Sequence, residues 1–275
     1  MTTRELNLEL SDGHRIPQLG FGTYKIDNDA APEIVRRALE IGYRHLDTAS
    51  FYDNESGVGE GLRRAQLNRD EVFITTKVWQ DSHGFDATLR AFDESITALG
   101  VEELDLYLIH WPDPTQNKFV ETWEALRRLR DEGRIRSIGV ANFKEHHLQR
   151  LLDETGELPT INQVELHPEF AQPELRAFHR EHGICTEAWS PLNRGRNLDH
   201  PAITEVAKRQ GCTPAQAVLA WHLAIGNVVI PKSADPDRQR ENFDAAGIVL
   251  TSEDIATIDT CNTGVRTGKD PDTFA

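Results

Sequence analysis

The chain is short of basic charge. It has 30 lysines and arginines against 45 aspartates and glutamates, a net charge of −15, with a pI near 5.2. No basic tract offsets that balance, so nucleic acid and anionic membrane surfaces are poor partners. The deficit says little about a small-molecule site, which answers to charges within about 8–10 Å at physiological salt. Cysteine is scarce as well. Cys185, Cys212 and Cys261 are odd in number and far apart. That argues against a disulfide framework or a zinc motif and fits a reducing, cytoplasmic compartment. No run approaches the roughly 18 apolar residues of a membrane span. Met1-Thr2-Thr3-Arg4-Glu5 lacks the apolar core of a secretory signal. With no linker and no low-complexity segment, residues 1–275 are expected to form one domain.

What the chain does have is alternation of two periods. Leu6-Asn7-Leu8-Glu9-Leu10 alternates as a strand does, Ser11-Asp12-Gly13-His14 reads as a turn, and Ile16 resumes the pattern. This hairpin stands outside the repeat that follows and is expected to close one end of a barrel. Eight short apolar strands then end near Gly22, Asp47, Thr76, His110, Val140, Glu165, Trp189 and Pro231. Segments with helical spacing separate them: Ile34 to Leu39, Glu55 to Arg64, Leu89 to Leu99, Phe119 to Leu126, Leu148 to Leu152, and Leu175 to Phe178. Between Trp189 and Pro231 there is room for an additional helix. Thr213-Pro214-Ala215-Gln216 carries a capping box with proline in the first turn. A terminal helix covers Ile255 and Ile258, and the rest, from Thr263 on, reads as a structureless tail. Eight strand–helix units predict a (β/α)8 TIM barrel with an N-terminal hairpin at its bottom and extra C-terminal helices.

Three successive strands deliver a titratable group at the carboxyl end: Asp47, Lys77 and His110, with Tyr52 on the loop five residues past Asp47. Singly, each has an ordinary explanation, since an aspartate at a strand end commonly caps the next turn. Together they would share the one mouth of a parallel barrel, where catalytic groups gather. Converging there, they make a proton-donating site, such as a reaction that turns a carbonyl into an alkoxide needs. A tyrosine is protonated at neutral pH and can donate its proton. Lys77 would favour the phenolate, Asp47 would balance Lys77, and a neutral His110 would polarise the carbonyl oxygen. Gly57-Val58-Gly59-Glu60-Gly61 is not a dinucleotide fingerprint, because Leu62 stands where the third glycine belongs and no strand precedes it. Lys77 as a Schiff-base nucleophile is one rival, and a non-catalytic nucleotide sensor on the same barrel is another. His45 and Asp47 face the same side of their strand, but no further ligand set makes them a metal site.

The run Gly42-Tyr43-Arg44-His45-Leu46-Asp47-Thr48-Ala49, with Glu55 and Val58-Gly59, resembles the first signature of the aldo-keto reductases. Ile230-Pro231-Lys232-Ser233, with Arg238, Glu241 and Asn242, resembles their C-terminal signature. The likeness spans essentially the whole chain, and its short connections resemble the bacterial branch that includes the 2,5-diketogluconate reductases. It implies a monomeric, NAD(P)(H)-dependent carbonyl reductase with Tyr52 as acid, Lys77 and Asp47 tuning it and His110 orienting the substrate. It implies a cofactor at the mouth, touched by Gly22 and Thr23. Asn142 and Gln163 would hold the nicotinamide carboxamide and Trp189 would stack on the ring. Ser190, Leu192 and Asn193 would line the pyrophosphate. Lys232, Ser233 and Arg238, beside Glu241 and Asn242, would meet a 2′-phosphate, which favours NADPH over NADH. Ala141 stands where the family more often has serine and removes one hydroxyl from that set. Tyr24, Trp79 and Trp111, beside His110, would wall an open pocket for small carbonyls, with Phe274 free to fold over it.

Overall fold

The structure, a computed structural model, describes residues 6–274. β1 (Asn7–Glu9) and β2 (Arg15–Pro17) pair antiparallel, with Leu8 opposite Ile16. Among the described residues, eight parallel strands follow in sequence order. They are β3 (Phe21–Gly22), β4 (His45–Asp47), β5 (Phe73–Val78), β6 (Leu104–Ile109), β7 (Ile135–Ala141), β8 (Ile161–Glu165), β9 (Cys185–Trp189) and β10 (Val228–Val229). The ring closes where Gly20 N donates to Val229 O and Val229 N donates to Gln18 O, each at 2.8 Å. Gly20 is needed at that seam, since a Cβ there would lie 2.5 Å from His45 Nδ1.

The helices between the strands are α1 (Ala31–Ile41), α2 (Glu55–Ala65), α3 (Phe85–Leu99), α4 (Phe119–Asp131), α5 (Glu145–Thr155) and α6 (Pro173–Glu181). The long gap before β10 holds α7 (Pro201–Gln210) and α8 (Pro214–Ala224), and α9 (Pro236–Asp244) and α10 (Ser252–Asp259) follow it. The capping box at Thr213 forms: its Oγ1 accepts from Gln216 N while Gln216 Oε1 accepts from Thr213 N. Outward side chains of the strands meet the helices in the main apolar core, with Trp123, Phe92, Leu46 and Ile109 fully buried. Inward side chains form a second layer. Phe73, Leu106, Leu108, Ile161 and Val228 pack there on Leu10 and Ile16 of the hairpin, which seals the bottom as the sequence implied. Apolar at the bottom, the interior turns polar toward the carboxyl ends of the strands.

One side chain fixes the two loops that build the mouth. Asn54 is fully buried; its Nδ2 donates to Thr23 O and Ile26 O, and its Oδ1 accepts from Thr48 Oγ1. It pins the loop after β3 to the loop after β4. Asn54→Ala strands three buried polar groups, each of which costs about 1–3 kcal/mol when left unpaired. The melting midpoint should fall by several degrees, given about 2–4 °C per kcal/mol for a chain of this size. A midpoint equal to that of the unmutated protein would show that the clip carries no stability.

Candidate active site

Strand alternation decides what enters the mouth. On β4 Leu46 points out into the helix-facing core, so His45 and Asp47 point in. On β5, with Ile74 and Val78 outward, Thr75 and Lys77 point in. Lys77 Nζ donates to Asp47 Oδ1 at 2.7 Å and to Thr48 O at 2.8 Å, and it lies 3.4 Å from Tyr52 Oη. Tyr52 is carried by a single 3₁₀ turn, Ser50–Tyr52, held when Ser50 Oγ donates to Lys77 O. His110 follows β6 directly and sets its ring 5.6 Å from that of Tyr52. The four titratable residues expected to share the mouth are therefore brought together.

Lys77 has no exposed surface and Asp47 almost none. Burial acts against the Lys77 ammonium, but Asp47, Tyr52 and Glu187 more than offset it and raise its pKa above the ordinary lysine value. The lysine is thus a fixed cation, bonded to a carboxylate and a carbonyl, and unsuited to nucleophilic attack. Burial raises the Tyr52 phenol to about 12 even though the Lys77 charge pulls it down. The expected gain in acidity from Lys77 is real in sign but smaller than the loss of solvent. Burial, with the Lys77 charge and His83 nearby, pushes His110 well below the usual histidine range, so its imidazole is neutral.

Gln163 reaches across the barrel from β8: its Nε2 donates to Asp47 Oδ2 at 2.7 Å and to Glu187 Oε2 at 2.9 Å. Asn142, in a left-handed conformation, donates from Nδ2 to His110 O and accepts Trp189 Nε1–H at 2.8 Å. Asn142, Gln163 and Trp189 thus lie in one cluster, tied to His110 O and Asp47. Ser190 has positive φ just beyond them. Asn193 is engaged elsewhere, on Glu169 and Thr267, and the Leu192 side chain packs into the core. Thr23 spends its hydroxyl on Asp47 O, and Gly22 N bonds Pro231 O. Lys232 and Arg238 are exposed, and neither pairs with a carboxylate among the described residues, whereas neighbouring Arg240 reaches Asp244. Burial and the nearby Lys25 charge lower the Lys232 pKa. Ser233 Oγ accepts Asp235 N–H between these cations. Glu241 lends its carbonyl to Gln216, and Asn242 is buried. An uncompensated positive strip on so acidic a chain fits an anionic ligand.

The tail is not a loose end. Thr267 N and Gly268 N donate to Glu165 Oε1 at 2.8 and 3.0 Å, and Lys144 Nζ holds Asp270 and Asp272 at 2.6 Å. His146 and His147 also face Asp272. These three could hold a metal by proximity, but His147 Nδ1 accepts Lys144 N–H, so its proton sits on Nε2, toward Asp272. That grouping is a clasp. It places the Phe274 ring 4.7 Å from Trp111 and 6.2 Å from Trp79, with Phe51 stacked on Trp79 at 3.8 Å. Tyr24 lies 5.1 Å from Tyr52. The pocket expected to be open is covered on one side by the chain's own C-terminal segment. Sequence reasoning did not single out Asn54, Glu187, Thr48 or the strand-end Glu165. Of these, Glu187 and Glu165, acids in or at the end of a buried strand, carried a local signal.

A parallel barrel with a tyrosine, a buried lysine–aspartate pair and a neutral histidine at its mouth has the makings of a proton-donating enzyme. The chain belongs to the Aldo/keto reductase family, whose pattern it matches over residues 18–263. It is 49% identical to an aldo-keto reductase of Mycolicibacterium smegmatis over 97% of both chains. It is 46% identical to the methylglyoxal reductase DkgA of Escherichia coli K12, again over 97% of both. A solved Gox0644 mutant in complex with NADPH superposes with a TM-score of 0.95 at 46% identity, covering 99% of both chains.

Lys77→Met leaves Asp47 buried without its cation, and removing one partner of a buried pair costs about 3–5 kcal/mol. Burial already raises Asp47, so in the mutant the carboxyl takes up a proton as pH falls and the deficit shrinks. Melting curves should show a larger loss at pH 8 than at pH 5. An equal loss at both would mean that the pair is not ionic.

Proposed function

We propose that this protein is an NADPH-dependent carbonyl reductase in which Tyr52 gives the proton, Lys77 and Asp47 hold the charge and His110 orients the substrate. The observation that carries the reading is the 3.4 Å approach of Tyr52 Oη to a lysine already locked on Asp47. A phenol held near 12 stays protonated through the neutral range and is ready to donate. Once the proton leaves, the phenolate faces a fixed ammonium, so Lys77 acts most strongly when charge has developed. Neutral His110 can donate to the carbonyl oxygen and align it with Tyr52. When bound, the reduced nicotinamide supplies the hydride. Asn142, Gln163 and Trp189 would hold its ring against the mouth, while Lys232, Ser233 and Arg238 would hold the 2′-phosphate, with Gly22, Thr23, Ser190, Leu192 and Asn193 lining the path between through backbone or packing. The tail and the aromatic rings Tyr24, Trp79 and Trp111 exclude water and suit small aldehydes and ketones, dicarbonyls among them. We take the protein to work as a cytoplasmic monomer.

Two measurements test this. Tyr52→Phe should keep the fold and NADPH binding but lose roughly 10²–10⁴-fold in turnover, the range for a general acid; reduction of a carbonyl panel at near-normal rates would remove Tyr52 from the role. Arg238→Ala should weaken NADPH about 10–100-fold through the loss of a charge-assisted contact to phosphate and leave NADH almost unchanged. Equal losses for the two cofactors would place the 2′-phosphate elsewhere.

A further inference from the structure

Beneath the reacting groups lies an acid that the chemistry above does not use. Glu187 sits mid-strand on β9, fully buried, level with Gln163 on β8 and Val228 on β10. Its Oε2 accepts one hydrogen of the Gln163 amide and Asp47 Oδ2 accepts the other. Both amide hydrogens are thereby spent on carboxyl oxygens. Gln163 Oε1 accepts nothing from the described residues, and it is not among the sealed, unpartnered atoms of the interior. It is the one polar atom of that side chain left for a ligand.

We propose that Glu187 is a positioning residue for the nicotinamide end of the cofactor: it takes the second amide hydrogen of Gln163 and so keeps Oε1 as a dedicated acceptor for a ligand N–H. The inference rests on the NADPH reading above. An amide with a spare hydrogen could present either end to a ligand; this one presents only an acceptor. The constraint matters because Ala141 has no hydroxyl, and Asn142 already spends its oxygen on Trp189 and one hydrogen on His110 O.

The charged and titratable groups facing Glu187 are His45 and Asp47 on β4, Lys77 on β5 and Cys185 on its own strand, while Val228 on β10 is apolar. His45 Nε2 lies 3.8 Å from Glu187 Oε1 and bonds Thr75 Oγ1 instead. Burial and the Asp47 charge push Glu187 up to about 8, so at neutral pH it accepts from Gln163 without competing with Asp47 for Lys77.

The test uses two probes, NADPH and 2′-phospho-ADP-ribose, which lacks the nicotinamide, titrated by calorimetry into the unmutated protein, Glu187→Leu and Glu187→Gln. Glu187→Leu should bind NADPH about tenfold more weakly, the scale of one hydrogen bond, and bind the fragment within about twofold of the unmutated protein. Glu187→Gln keeps an acceptor and should restore NADPH binding to within about threefold. No selective loss of NADPH in Glu187→Leu, or an equal loss of both probes, overturns the proposal. Failure of the unmutated protein to bind either probe overturns the NADPH reading itself, and this inference with it. A pH arm reads the acid directly. A carboxyl raised from 4.5 to about 8 by folding contributes stability at low pH that is lost as pH rises through that window. Glu187→Gln should remove that part of the slope, and an unchanged slope counts against a buried acid at this position.

Discussion

The contact between Lys77 and Asp47 is the constraint on which the site depends. A fully buried ammonium is tolerated only where a carboxylate and further oxygens replace its water, and here Asp47 Oδ1 and Thr48 O do so. Each partner comes from a strand end, so the pair can form only if β4 and β5 are in the register that sets Asp47 beside Thr75. A slip of one residue would turn Lys77 outward into the apolar helix layer. The ion pair is therefore also a check on register, and it turns a stability liability into a fixed positive point next to Tyr52.

That fixed point works against desolvation, and the balance sets the state of the Tyr52 phenol. Losing water raises the Tyr52 phenol more than Lys77 lowers it. The result is a phenol that stays protonated near neutral pH, as the donor role proposed for it requires. The same dry interior neutralises His110 and holds off ionisation of Glu187. Among four buried ionisable groups around Lys77, then, only Asp47 is needed as a counter-charge. A barrel interior apolar at the hairpin end and polar at the mouth is what makes these shifts possible.

Much of this was legible in the sequence, for identifiable reasons. The eight strands announced themselves because both faces of a parallel barrel strand are buried and the runs are continuously apolar; all eight ends lie within two residues of where the structure puts them, Thr76 against Val78 and Pro231 against Val229 being the widest gaps. Asp47, Lys77 and His110 were visible as polar interruptions of such runs. α9 was not, because Pro236–Asp244 carries a single large apolar residue and its helix rests on the Asp235 cap rather than on a stripe. The tail has no helix or strand from Thr263 on, as expected, but its anchoring was hidden for a related reason. Gly, Asp and Thr have no periodicity, yet Glu165 and Lys144, distant in sequence, give its backbone and carboxylates their partners. Partners contributed from elsewhere in the chain leave no local mark.

Those long-range partners also explain how a pocket with short loops can still exclude water. Gly268 passes so close to Trp189 and Glu165 that a Cβ would lie 2.6 and 2.7 Å from them. The tail therefore rests directly on Trp189, one of the residues proposed to hold the nicotinamide, and the same segment sets Phe274 over Trp111. Lys144, His146 and His147 grip it from the start of α5, the helix that begins just after Asn142. Cofactor cluster and aromatic cover are thus tied to one strap anchored at both edges of the mouth. Because the Lys144 clasp is made of partly exposed charges, it is weak and screened by salt, whereas the Glu165 bonds are buried. The strap is firm where it meets Glu165 and looser at the Lys144 clasp.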